Sequence, residues 1–434
     1  MPVIPNEFLS FLQTNLPAIT HRFGTPCHLF YGPGIRGSVR GINAAFGSQG
    51  LDITELFAFK ANPRLAIAKI ILEEGGGLDV SSYDEVLAAI ELNCPPDKTM
   101  LTSNNTPQRL YQLIAKQGGF LNLDDPSFVP KVPEPFPKTI CFRLLLNELE
   151  IPSVGATANQ INFVSKDTKF GVPMDQVDAA YEAAIRRGAE SIGLHAMVVS
   201  NNRDYRALAA TVRALAKKGA DLGDKFHVPV PYLNMGGGEG IAYRDTENDF
   251  DMGALAVECR LALEIFQARM GYKPRLFMES GRYVAGPHGV MINRVENVYT
   301  KFKKFVGVQI AMQGVPRMAI YETAFHKPIV FNPDGTLKTG PTEVVSIVGG
   351  TCEGSDGIGR DVELPIVAEG DFIVTCCSGA HCNGQAGQYN WQPRPQELLY
   401  DKGEVRRICT AETYHDFTYR QRGLSADEHW LKLS

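Results

Sequence analysis

Between residues 53 and 282 the chain alternates, over and over, between a short unbroken apolar run and a helical stretch. The apolar runs lie at 53–61, 77–82, 100–104, 120–124, 139–146, 191–199, 230–235 and 275–279. Helical periodicity occupies 64–74, 83–92, 108–116, 174–187, 205–218 and 254–270. Runs that stay apolar without alternating are expected of parallel strands covered on both faces. Eight strand–helix units over roughly 230 residues match the size of a closed (β/α)8 barrel. Beyond residue 285 the pattern changes. Runs at 290–305, 307–312, 344–349 and 371–376 are separated by Gly, Pro and Asn turns, with no long amphipathic helix between them. This reads as an all-β domain, sandwich- or barrel-like. The run Pro26–Tyr31 reads as one more strand joining it. The expected division is therefore 1–40 as a segment joining the β domain, 41–285 as the barrel, and 286–434 as the β domain. A chain of 434 residues is long enough for two such cores.

Composition narrows the partners. Hydrophobic residues at 44% and charged residues at 21% are ordinary for a globular enzyme. A net charge of -5 gives no basis for binding nucleic acid or an anionic membrane. No apolar run is long enough to span a bilayer, and the first residues lack a basic and then apolar leader. The nine cysteines are scattered, and Cys376, Cys377 and Cys382 do not follow a zinc spacing. Reduced thiols, a cytoplasmic location and no metal are expected.

What ends each strand points to a site. Lys60 ends the first run and Asp79 the second, and Ser103 and Asn104 end the third. Asp124 and Asp125 end the fourth, and Arg143 lies in the fifth. His195, Met197 and Ser200 mark the sixth, Gly236-Gly237-Gly238 the seventh, and Glu279-Ser280-Gly281-Arg282 the eighth. Barrel enzymes build their sites at these C-terminal ends. Each residue also has a plainer reading. Lys60 can snorkel to solvent, Asp79 can cap the next helix, and the three glycines can be a tight turn. Taken together they suit pyridoxal phosphate. A buried lysine, its pKa lowered by burial, is a nucleophilic amine able to form a Schiff base. Glycine N–H groups approach a phosphate closely, and Ser200 and Arg282 add donors. Glu279 would keep a pyridinium nitrogen protonated.

These motifs resemble the fold-type III pyridoxal phosphate decarboxylases, the group of ornithine, diaminopimelate and arginine decarboxylases, and most closely the diaminopimelate branch. The resemblance rests on Phe59-Lys60-Ala61-Asn62, Gly77-Leu78-Asp79-Val80-Ser81-Ser82, Lys169-Phe170-Gly171, Asn234-Met235-Gly236-Gly237-Gly238 and Glu279-Ser280-Gly281-Arg282. It continues through Gly350-Thr351-Cys352-Glu353-Gly354-Ser355-Asp356, Arg360 to Pro365, Gly379-Ala380-His381 and Tyr389 to Pro395. It implies an alanine-racemase-like barrel with a C-terminal β domain, working as a homodimer with shared sites. It further implies Lys60 as the Schiff-base lysine, with Asp79, His195, Met197, Ser200, Gly236, Gly237, Gly238, Glu279, Gly281, Arg282, His381 and Tyr389 around the cofactor. Cys352, reaching the partner subunit's site, would protonate the product carbon. Its plainer reading is a buried structural thiol.

The departures bear on the substrate. Met197 stands where the family stacks a histidine on the ring, Ser280 where it has proline, and His381 where it has tyrosine. The segment that supplies an arginine and a tyrosine to a distal carboxylate reads Arg317 to His326, with Tyr321 and an unexpected Glu322. With Glu353 and Asp356 these are the candidate substrate contacts. They point to a diamino acid or an amino-acid conjugate, with Glu353 and Glu322 suited to a second cationic group. Two alternatives stay open at this stage: an amino-acid racemase on a related barrel, and an inactive regulatory homologue.

Overall fold

The computed structural model describes residues 3–146, 161–162, 167–321 and 323–421. Its strands Ile53–Ala58, Gly77–Val80, Thr99–Ser103, Phe120–Leu123, Thr139–Leu145, Ser191–His195, Tyr232–Asn234 and Arg275–Met278 pair in parallel with their neighbours. The last pairs with the first, Met278 opposite Glu55, so the sheet closes on itself. The expected (β/α)8 barrel is present. Leu56, Met100, Cys141, Tyr232 and Phe277 form a separate apolar cluster contributed by five of these strands. Tyr232 and Phe277 meet edge to face at 5.0 Å. Gly193 makes room for them, because a Cβ there would lie 2.2 Å from the Tyr232 ring.

The helices Leu65–Glu73, Tyr83–Glu91, Gln108–Gln117, Val177–Arg186, Arg206–Phe226 and Met252–Met270 lie within two or three residues of their expected limits, except that Arg206–Phe226 runs on well past 218. Ser82 caps Tyr83–Glu91 by accepting from the Glu85 N–H at 3.2 Å. Two long helices were not expected from the sequence, Asn6–Phe23 and Gly32–Gly47. The second is studded with glycines, which lower helix propensity. It forms because Ile35, Val39, Ile42 and Phe46 bury one stripe in the core shared with the barrel.

The strand Cys27–Tyr31 is inserted between Gly289–Thr300, antiparallel, and Gln396–Asp401, parallel. It thereby ties the N-terminal region to the β domain. The mixed sheet also holds Lys304–Val308, Thr342–Val348, Gly357–Pro365, Phe372–Thr375, Pro328–Phe331 and Glu404–Cys409. The run at 307–312 leaves the sheet after Val308. The strands at 357–365 and 404–409 escaped the sequence reading because both are rich in charged residues with few apolar anchors. Among the described residues no helix is long and apolar enough to cross a membrane.

Candidate active site

A cavity of about 360 Å³ opens at the C-terminal ends of the barrel strands. Lys60, Asp79, Arg143, His195, Met197, Ser200, Gly238, Glu279, Gly281, Arg282 and His381 line it. A larger hollow of about 740 Å³, beside Pro17 and Arg294, gathers none of these strand-end residues.

The first strand stops at Ala58, earlier than its apolar run, and Phe59–Ala61 form a single 3-10 turn. Lys60 leaves that turn with about half of its side chain exposed to the cavity, and its ammonium pairs with Asp79. Asp79 is therefore an ion-pair partner, while Ser82 does the capping. Burial alone would lower the Lys60 pKa, but the neighbouring charges of Asp79 and Glu279 outweigh it and raise it. The expectation of a pKa lowered by burial is thus reversed: two carboxylates hold this amine protonated. Asp79 itself is pushed up to about 7 by burial and by Glu279, with Lys60 pulling the other way.

Glu279 is the fixed anion. Burial works against its charge, but His195, Lys60 and Asn234 prevail and hold it at about 2. Asn234 Nδ2 donates to Oε1 at 2.7 Å, and His195 Nε2 lies 3.2 Å from Oε2. Asn234 Oδ1 also accepts from the Gly236 N–H at 2.9 Å. One side chain therefore locks the glycine loop to the carboxylate.

The loop needs its glycines. Gly236 and Gly238 have φ of 68° and 108°. A Cβ on Gly237 would lie 2.1 Å from the Glu279 carbonyl oxygen. The Met197 thioether accepts from the Gly237 N–H at 3.4 Å, so Met197 packs on this loop as well as lining the cavity. Arg282 and Arg317 both donate to the Tyr243 hydroxyl, at 2.6 and 2.8 Å. Arg317 also reaches His326 Nε2 at 3.1 Å, the imidazole donating from Nδ1 to the Cys376 carbonyl. Among the described residues neither guanidinium has a carboxylate within ion-pair distance. Burial and the Arg317 charge lower the Arg282 pKa. The Arg282 guanidinium, with no carboxylate counter-ion among the described residues and lining the same cavity as Gly238, fits a phosphate dianion. The residues present therefore fit pyridoxal phosphate: an amine, a glycine cradle with cationic donors, and a buried carboxylate.

The β domain closes one side. The His381 N–H donates to the Ala61 carbonyl at 2.7 Å, and Asn62 Nδ2 to the Gly379 carbonyl at 2.9 Å, clamping the Lys60 turn. Burial and the Arg282 charge hold the His381 imidazole well below its ordinary pKa.

The remaining candidates lie elsewhere on the chain. Cys352 is exposed, which sets aside its plainer reading as a buried structural thiol, and neither it nor Glu353 nor Tyr389 lines the cavity. Its N–H donates to Asn390 Oδ1 at 2.9 Å, and Asn390 Nδ2 faces its sulfur at 3.4 Å. Asp356 is buried and braces its own loop, accepting from the Met312 N–H and from the Thr351 N–H and hydroxyl. Tyr321 is exposed, and Glu322 lies outside the described residues. Sequence reasoning gave no role to Tyr243 or to the buried Glu55 and Glu239. A charged residue inside the apolar run 53–61 was the one signal for Glu55.

The family described as pyridoxal-dependent decarboxylase, pyridoxal binding domain, matches residues 35–286. The chain belongs to this family. It is 32% identical to protein TabA of Pseudomonas amygdali pv. tabaci, over 96% of this chain and 95% of that one. It is 28% identical to the diaminopimelate decarboxylase of Methanothermobacter thermautotrophicus, over 95% of both chains. The diaminopimelate decarboxylase of M. jannaschii, solved with L-lysine, superposes with a TM-score of 0.84 at 25% identity and covers 94% of each chain. The chain is a pyridoxal phosphate-dependent amino-acid decarboxylase, which sets the racemase reading aside.

Proposed function

We propose that this enzyme decarboxylates a diamino acid, with Lys60 carrying the cofactor as a Schiff base and Cys352 of a partner subunit delivering the proton. The observation that carries the reading is Glu279, a carboxylate kept ionised in a buried site facing the same cavity as Lys60. Bound pyridoxal phosphate supplies an electron sink for the pair left when the carboxylate departs as carbon dioxide. Glu279 holds the ring nitrogen protonated and so keeps that sink open. Gly238, Ser200 and Arg282 would hold the phosphate, the Gly236 and Gly237 N–H groups being taken up by Asn234 and Met197, and Met197 would bring neither a proton nor a charge to the ring. Before the cofactor can be captured, the Lys60 amine gives up its proton, with Asp79 the adjacent acceptor. A thiol can act as a general acid at neutral pH. Exposure of Cys352 on its own chain suits service to a neighbouring site in a homodimer.

The diamino-acid class rests on the diaminopimelate decarboxylases among the relatives and on Glu353 beside Cys352, an anion able to meet a distal ammonium. Arg317, committed to Tyr243 and His326, is not free to bind a distal carboxylate in this conformation. An amino-acid conjugate carrying a second cationic group would suit the same contacts. The test is carbon dioxide release from meso-diaminopimelate, lysine, ornithine, arginine and glutamate, each in its available stereoisomers. Release from a diamino acid and none from glutamate is expected. Turnover of glutamate alone would overturn the substrate class.

A further inference from the structure

Two carboxyl groups that the mechanism does not use adjoin the glycine loop, and one of them, Glu239, lines the cavity itself. Glu55 is on the first barrel strand, opposite Met278, and is 1% exposed. Glu239 follows Gly238 directly and is also 1% exposed. Ser280, fully buried, follows Glu279 and lies beside both carboxyls. None of the oxygens Glu55 Oε1 and Oε2, Glu239 Oε1 and Oε2 and Ser280 Oγ completes a well-formed hydrogen bond, although Ser280 approaches both carboxyls and the Gly238 N–H approaches Glu239. Buried carboxylate oxygens left unmatched are costly, and two carboxylates side by side more so. A proton shared between the two carboxyls relieves both costs and needs no further space.

The other charged groups around Glu239 offer no relief. Glu279, from the turn after the eighth strand, adds a like charge. Tyr283, on the short helix Arg282–Ala285, has its own pKa raised by burial and then by Glu239. Arg203 packs on Gly240 but is paired with Glu247 at 3.5 Å. Lys60 is committed to Asp79, and Arg282 to Tyr243. Glu239 is also within reach of the Gly238 N–H, one of the donors the cofactor phosphate would use.

We propose that Glu239 is kept as a neutral acid by its burial and by sharing a proton with Glu55, that this neutrality lets the glycine loop accept the cofactor phosphate, and that loss of the proton weakens the hold on the cofactor. Ser280, in place of the proline that the family resemblance leads one to expect, supplies a hydroxyl that favours the ionised form and so sets where the proton is lost. Glu239 is a positioning residue for the cofactor, not a catalytic one. The inference rests on the reading that the glycine loop, through Gly238, holds the phosphate. Burial, with the Glu279 charge, raises the Glu239 pKa to about 7, so its ionisation falls in an accessible range. The sign follows: the acid is neutral below that range and charged above it, and a charged Glu239 repels a phosphate dianion.

The test is equilibrium binding of pyridoxal phosphate and of phosphate-free pyridoxal to the full-length protein, stripped of cofactor, across neutral pH. Wild type, Glu239→Gln and Ser280→Ala are compared. Wild type should lose pyridoxal phosphate affinity about tenfold or more on crossing the transition, as expected of one added like charge near the phosphate. Glu239→Gln, neutral at every pH, should bind without that loss. Ser280→Ala removes a donor that favours the ionised form, so its transition should move to higher pH, whereas a purely structural defect would weaken binding equally at every pH. The same pH dependence in wild type and Glu239→Gln overturns the proposal. So does tightening of pyridoxal phosphate binding by sodium, potassium or magnesium chloride at fixed ionic strength that Glu239→Gln abolishes, since the cluster would then be a cation site. Equal affinity of wild type for pyridoxal and pyridoxal phosphate would instead overturn the phosphate-loop reading itself.

Discussion

Replacing Glu279 with glutamine removes one charge and little else. The side chain keeps its volume, and its remaining carbonyl oxygen can still accept from Asn234 Nδ2, now at 2.7 Å from Oε1. What is lost is the anion that His195, Lys60 and Asn234 hold ionised down to about pH 2. Relative to the ordinary 4.5, that shift corresponds to about 3 kcal/mol favouring the charged form. If the same preference keeps the ring nitrogen protonated, turnover in Glu279→Gln should fall by about two to three powers of ten. The assay is carbon dioxide release at saturating substrate, with cofactor content measured by absorbance and fold by circular dichroism. A second readout follows from linkage. A depressed carboxylate pKa stabilises the fold at pH values above the unfolded value, and that stability is lost as pH falls from about 4.5 towards 2. The stability gap between wild type and Glu279→Gln in the cofactor-free protein should therefore close over that window. Turnover within a few-fold of wild type at full cofactor content would refute the electron-sink role.

Lys60→Ala should abolish the visible absorbance of the bound cofactor, and an unchanged spectrum would assign the Schiff base to another lysine. Mixing inactive Lys60→Ala with inactive Cys352→Ala chains should restore one competent site per mixed dimer, measured as returning carbon dioxide release. No recovery despite demonstrated subunit exchange would rule out shared sites. Met197→His should introduce an ionisation near neutral pH into the pH–rate profile, or change the ratio of decarboxylation to transamination, while leaving cofactor binding intact. Identical profiles would take Met197 off the ring face.

The barrel was legible in the sequence because each of its strands is apolar on both faces, and that constraint leaves a mark in every run. Lys60, Asp79 and Glu279 were legible for the converse reason: a charge ending an apolar strand stands out against what surrounds it. The glycine helix Gly32–Gly47 and the charged strands Gly357–Pro365 and Glu404–Cys409 left no such mark. Their structure comes from the surfaces they pack and pair with, not from local propensity. The direction of the Lys60 pKa was also beyond the sequence, since burial and neighbouring charge oppose one another, and only the placement of Asp79 and Glu279 decides which prevails. The same holds for Arg317, whose guanidinium the fold turns onto Tyr243 and His326. It holds again for Glu55, Glu239 and Ser280, far apart in the chain and brought together where barrel closure sets Glu55 opposite Met278. Residue type and local pattern determined which chemistry the chain carries. Which charges meet, and therefore which protons are held, is a property of distances that only the closed barrel and its β domain define.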